Sequence, residues 1–128
     1  LLKRIILLIL SSISLFSTVS CSQETSIDID DAVTKSEKYF RQLDEIATTA
    51  SSYDGKKDLK FRLMVEGNPT ETEATIFFNL ILDVVTNYSN LSDVWNFYNG
   101  YFDITNYDQG VIYEGTKLIG EDLIVQTK

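Results

Sequence analysis

The stretch that decides the fold class is "DLKFRLMVEGNPTETEATIFFNLILDVVTNY", Asp58–Tyr88. Its first nine residues alternate. Leu59, Phe61, Leu63 and Val65 point one way, and Lys60, Arg62, Met64 and Glu66 the other, which is the period of a β-strand. One apolar and one polar face together predict an antiparallel sheet that is covered on one side and wet on the other. "GNPT" ends the strand. Thr70 followed by Glu73 then predicts a capping box, with the hydroxyl accepting from a backbone amide and the carboxylate accepting in return. The helix behind it, about Glu71 to Tyr88, is apolar except for a narrow stripe of Thr72, Thr75, Asn79, Asp83 and Thr86. Such a helix packs on more than one element and supplies much of a small core. Exposed, it would instead fill a partner's groove.

Outward from this stretch the pattern changes. Upstream, Val33, Phe40, Leu43, Ala47 and Ala50 recur at steps of three and four, with Tyr39 and Ile46 widening the stripe. This spacing predicts a first helix from about Asp30 to Ser52, and Asp28, Asp30 and Asp31 suit its positive N-terminal end. "SSYDGKKD" breaks it with turn formers. Downstream, aromatic-rich runs alternate with turn signals, predicting strands near Val94–Tyr98, Tyr101–Thr105, Val111–Lys117 and Leu123–Gln126. Asn99-Gly100 is read as a two-residue hairpin or as a bulge inside one longer strand. The expected architecture is α+β in one domain, residues 28–128. Two helices would pack on one face of a small antiparallel sheet, in the order helix, strand, helix, β-meander.

The N-terminus has a different character. "LLKRIILLILSSISLFSTVSC" places Lys3 and Arg4 before a short apolar run and then small residues. That is the plan of a secretory signal, and the run falls short of the roughly 20 apolar residues of a membrane span. Cys21 is the only cysteine, so it has no disulfide partner, and a chain without histidine has no ordinary zinc-ligand set. "TVSC", Thr18 to Cys21, resembles the lipobox of bacterial lipoproteins, with Val19 and Ser20 in pattern and Thr18 where leucine is usual. The resemblance implies a signal peptide over residues 1–20, a diacylglyceryl group on the Cys21 sulfur, and cleavage that leaves Cys21 as the new N-terminus. Residues 21–27 would be a tether, and the domain would sit outside the cytoplasmic membrane, or on the outer membrane of a Gram-negative host.

Charge narrows the partners. The chain has 11 basic and 19 acidic residues; removing Lys3 and Arg4 with the signal leaves 9 against 19, a net −10. That argues against nucleic acid and against docking onto anionic lipid headgroups through the domain's own surface, so the acyl chains, and not the domain, would hold the protein to its membrane. From Leu63 onward, Lys117 and Lys128 face ten acidic residues. Such an excess is either a solvated surface or a face for a cationic partner.

Sites for chemistry are sparse. Without histidine no Ser-His-Asp or Cys-His arrangement exists, and the six glycines are scattered at turns, forming no phosphate loop. Asp103, Asp108, Glu114, Glu121 and Asp122 of the C-terminal meander leave paired-carboxylate chemistry open, but a hairpin of this size has little room for a substrate cleft and acidic turns are ordinary. "DITNYD" offers Asp103, Asn106 and Asp108 as oxygen ligands but lacks the glycine and closing glutamate of an EF-hand, and reads as a turn. Asn87 and Asn90 match the glycosylation pattern and read as capping and turn residues. We therefore expect no enzyme, cofactor or metal, but a binding module at the cell envelope. The rival reading is an acidic inhibitor or immunity lipoprotein that neutralises a cationic lysozyme, toxin or peptide. The aromatic cluster of Trp95, Phe97, Tyr98, Tyr101, Phe102, Tyr107 and Tyr113 is either core and cross-strand pairing or a recognition face. Tyr98, Tyr101, Asp103, Asp108 and Glu114 are the candidate partner-binding residues.

Overall fold

A computed structural model describes residues 28–128. The expected signal peptide (1–20), Cys21 and the expected tether (21–27) lie outside the described residues. Helix α1 (Ile29–Arg41) leads into strand β1 (Ile46–Tyr53), β2 (Asp58–Val65), helix α2 (Glu71–Ser89), a single 3-10 turn (Val94–Asn96), and strands β3 (Asn99–Asn106), β4 (Gly110–Lys117) and β5 (Ile124–Thr127). The α+β architecture is as expected: two helices pack against a five-stranded sheet in the order β1-β2-β3-β4-β5. All neighbours are antiparallel except β2 and β3, which run parallel with Asp58 opposite Asn99 and Met64 opposite Thr105. The parallel pair follows from connectivity: α2 carries the chain back along the sheet, the crossover that parallel strands need.

Three sequence expectations are corrected. The first helix stops at Arg41, and Ile46–Tyr53 is an edge strand. Alanines at positions 47 and 50 continue the helical period, but they suit either structure, and "TTASSY" is rich in residues that lose little in a strand. The order is therefore helix, two strands, helix, three strands. Val94–Tyr98 is not a strand. The Trp95 indole donates to the Leu82 carbonyl (3.0 Å) and anchors a 3-10 turn against α2. Asn99-Gly100 is neither hairpin nor bulge but the first two residues of β3.

Local chemistry explains the remaining boundaries. Asp28 caps α1, its carboxylate accepting from the Asp31 amide (3.0 Å). The Thr70–Glu73 capping box is formed in both directions: Glu73 N–H donates to Thr70 Oγ1 (3.1 Å) and Thr70 N–H to Glu73 Oε1 (3.3 Å). Asn90, in the left-handed region at φ 55°, closes α2, a conformation asparagine tolerates better than most residues. Asp54 Oδ1 accepts from the amides of Lys56, Lys57 and Asp58 (2.8, 3.0 and 3.1 Å) and shapes the β1–β2 turn. These bonds, the Asp58 amide foremost, hold the Asp54 carboxyl below its ordinary range.

The core lies between the helices and one sheet face. Leu59, Phe61, Leu63 and Val65 of β2 all turn inward, with Phe102 and Ile104 of β3 beside them. From α2 come Ala74, Phe78, Ile81, Val84 and Val85. Phe102 is the hub: Phe78 stacks on it at 6.0 Å and 28°, while Trp95 (5.9 Å) and Phe61 (6.1 Å) meet it edge-on. Two glycines make this possible. A Cβ on Gly115 would stand 2.8 Å from the Phe78 ring, and one on Gly100 2.4 Å from the Phe102 ring. Gly115→Ala should therefore overpack the junction of α2 with the sheet. We expect a loss of about 1–3 kcal/mol in urea unfolding, with an unchanged denaturant slope; a variant as stable as the wild type would show that Phe78 is loosely held.

Candidate functional site: the uncovered sheet face

The helices leave one sheet face bare, and alternation dictates what it carries. With Leu59, Phe61 and Leu63 inward, Lys60, Arg62 and Met64 face out. The register sets them in rows across the strands: Ser52, Lys60, Tyr101, Thr116 and Ile124 in one, Ala50, Arg62, Asp103, Glu114 and Gln126 in the next. A shallow concavity of about 630 Å³ lies over these rows. On β1 the side chains turned to this face are Ala50 and Ser52, short enough to leave the space open, while Ser51 turns its hydroxyl to Glu37 of α1.

Charge on this face is largely matched. Arg62 grips Asp103 with two parallel bonds, Nε to Oδ1 (2.8 Å) and Nη2 to Oδ2 (3.0 Å). Lys128 Nζ stands 3.4 Å from Glu114 Oε2. Both pairs are partly exposed and add little stability, but the bidentate geometry fixes the Arg62 plane at the centre of the face. Lys60 makes no ion pair among the described residues, and its row neighbour Tyr101 is 37 % exposed.

Three of the five candidate residues thus come together here: Tyr101, Asp103 and Glu114. The other two do not join them. Tyr98 precedes β3 and packs edge-on against Tyr53 (6.0 Å), half-buried, with burial pushing its hydroxyl pKa up. Asp108 is on the exposed β3–β4 turn. Sequence reasoning sent Lys60 and Arg62 to the wet face without giving them a role, and it hid Ala50 and Ser52 inside a supposed helix. The pairing of Arg62 with Asp103, 41 residues apart, has no local signal.

The aromatic cluster divides between core and surface. Trp95 and Phe102 are core; Tyr113 reaches the Pro69 carbonyl (2.9 Å). Phe97, Tyr101 and Tyr107 meet solvent. The oxygen side chains of "DITNYD" serve separate purposes. Asp103 holds Arg62, while Asn106 donates to Gly67 O and Asn68 Oδ1 and accepts from the Gln109 amide, closing the hairpin.

A second concavity, about 520 Å³, lies where the α1–β1 turn, the end of β2 and the start of α2 meet. Asp44, Glu45, Glu66 and Glu73 surround it with no basic residue in its wall. Phe77 and the 62 % exposed Ile76 provide its apolar surface.

No family model matches the chain, and no curated protein matches it. Its site has to be read from its own chemistry.

One buried group on β3 lacks a partner among the described residues. The Thr105 hydroxyl is enclosed, beside the register shift between Ile104 and Thr105 where β4 bulges. An enclosed hydroxyl without a bond costs about 1–3 kcal/mol. Thr105→Val should remove that cost and raise stability by about 1 kcal/mol in urea unfolding; a destabilised variant would mean the hydroxyl is bonded after all.

Proposed function

We propose that this chain is a lipid-anchored protein of the bacterial cell envelope that acts by binding a partner protein and not by catalysis. The observation that carries the binding reading is the bare, concave sheet face. A two-layer domain could cover or blunt such a surface; here Tyr101, Lys60 and the fixed Arg62 plane stand on it with short side chains beside them. Exposed tyrosine and arginine are the residue types that dominate binding hot spots. The anchor reading rests on the signal-like N-terminus and the "TVSC" motif at Cys21. Consistent with it, no helix among the described residues is long and apolar enough to cross a membrane.

A second reading has its own support. An acidic inhibitor or immunity lipoprotein would need unpaired carboxylates facing a cationic protein. Asp103 and Glu114 already have internal partners, so that reading moves to the groove of Asp44, Glu45, Glu66 and Glu73. There association would be steered by charge and would slow as salt rises.

Metabolic labelling with a palmitate analogue checks the anchor: the wild type should be marked and Cys21→Ser should not. Labelling that survives the substitution would refute it.

Capture from envelope extract separates the two surfaces. If the sheet face binds, Tyr101→Ala should weaken capture by about 2 kcal/mol, as a hot-spot truncation does, with little response to salt. Asp44→Asn, Glu45→Gln and Glu66→Gln together should leave that capture unchanged. The reverse pattern, with loss at high salt, would establish the acidic groove and the inhibitor reading in its place.

A further inference from the structure

The fold sets the end of the domain at which the described residues begin. Helix α1 runs antiparallel to β1: Arg41 Nε donates to Thr49 Oγ1 (3.2 Å), and Glu37, one turn earlier, accepts from Ser51 Oγ (2.6 Å). From Glu37 back to Asp28 the helix rises about 13 Å. Beyond Ser51, β1 has only two more residues, about 7 Å. The domain therefore begins level with the β1–β2 turn, at the end of the sheet where β3 starts and β4 finishes.

That end carries an unusual set of exposed side chains. Phe97 is 53 % exposed and Ile124 54 %, with Ile119 also exposed. Asn99 ties the region together, its amide N–H donating to Lys57 O (2.8 Å) and its Oδ1 accepting from Ile119 N–H (2.8 Å). Lys56 and Lys57 lie on the β1–β2 turn at this end, and Lys117, the last residue of β4, donates to the Leu118 carbonyl (3.0 Å). Of the nearby acids, Asp54 is engaged with turn amides, Asp58 accepts from the Asn99 side chain, and Asp31 holds Lys35. Asp28 and Asp30 at the start of α1, and Glu121 and Asp122 on the β4–β5 turn, remain. Apolar contact leads here, and charge does not.

We propose that this end, presenting Phe97, Ile119 and Ile124, is a membrane-contact face that rests on the bilayer holding the anchor. The proposal depends on the lipid-anchor reading above and adds the orientation to it. The link from Cys21 to Asp28 spans at most about 25 Å when fully extended, so the end where α1 begins is the end kept against the lipid. Large apolar side chains with Lys56 and Lys57 at the same end suit the headgroup boundary, where the stem of a lysine lies on apolar surface and its charge stays wet. The opposite end, with Tyr107 (74 % exposed) and the acidic groove, lies about 26 Å away along β3. It then points away from the membrane. Ile124 belongs to the row of Lys60 and Tyr101 on the β5 edge, so the concave sheet face rises from the membrane contact, with the Arg62–Asp103–Glu114 row above it open to a partner.

The single cysteine makes the test direct. If Cys21 is acylated, a cysteine introduced elsewhere is the only free thiol. The full chain, with Phe97→Cys, Ile124→Cys or Tyr107→Cys, is labelled with an environment-sensitive fluorophore. It is then reconstituted into phosphatidylethanolamine–phosphatidylglycerol vesicles carrying a nitroxide near the headgroups. Labels at 97 and 124, held at the headgroup boundary, should be quenched, and the label at 107 should be unaffected. Two positions guard against one substitution disturbing the fold. Equal quenching at all three, or stronger quenching at 107, would overturn the orientation while leaving the anchor intact. A wild-type chain that takes up the label, or that fails to stay with vesicles, would overturn the anchor and this proposal together.

Discussion

The contact on which the rest of the structure depends is the Phe78 ring lying against Gly115 and stacked on Phe102. It joins α2 to β4 and β3 at once. Because both glycines, 100 and 115, lack side chains, large rings approach the sheet backbone closely enough to bring Trp95 and Phe61 into the same cluster. That seats α2 across the sheet and closes one face. The same placement obliges the alternate residues of every strand to face the other way, so the bare face follows from how the covered one is packed.

The elements with strong local periodicity were legible in the sequence. β2 alternates without a fault, and α2 has both a capping box and a continuous apolar surface; each was located within a residue or two. The first half of the meander was misjudged because its signals compete. Val94–Tyr98 has the composition of a strand, but the Trp95 indole finds a carbonyl on α2, and a tertiary hydrogen bond outweighs a weak local preference. Ile46–Tyr53 was lost because alanine and serine carry almost no periodic information, and their helical spacing continued that of a real helix. What stabilises β1 lies elsewhere in the chain: Glu37 and Arg41 reach Thr49 and Ser51 from α1.

The candidate site was legible only in part, for a related reason. Tyr101, Asp103 and Glu114 could be picked out as exposed aromatic and acidic residues of strands. Their neighbours on β2 could not, since the central step of each row, from β2 to β3, joins residues 41 apart in sequence. The parallel pairing of β2 with β3, which sets Arg62 beside Asp103 and Lys60 beside Tyr101, depends on α2 returning the chain to the start of the sheet. Once that pairing exists, much of the acidic charge on this face is matched. Asp44, Glu45, Glu66 and Glu73, which make no ion pair among the described residues, line the groove where α2 begins, while Asp28, Asp30, Glu121 and Asp122 stand at the other end. Charge counted along the chain and charge arranged on the surface thus lead to different partners.

The central claim is that the bare sheet face is where a partner binds in the envelope. The most direct measurement is site-specific photo-crosslinking in living cells, with benzoylphenylalanine placed at Tyr101 on the sheet face or at Asn79 on the exposed side of α2. The account predicts one discrete adduct from position 101 and none from 79. An adduct from 79 alone would contradict it and place the working surface on the helices.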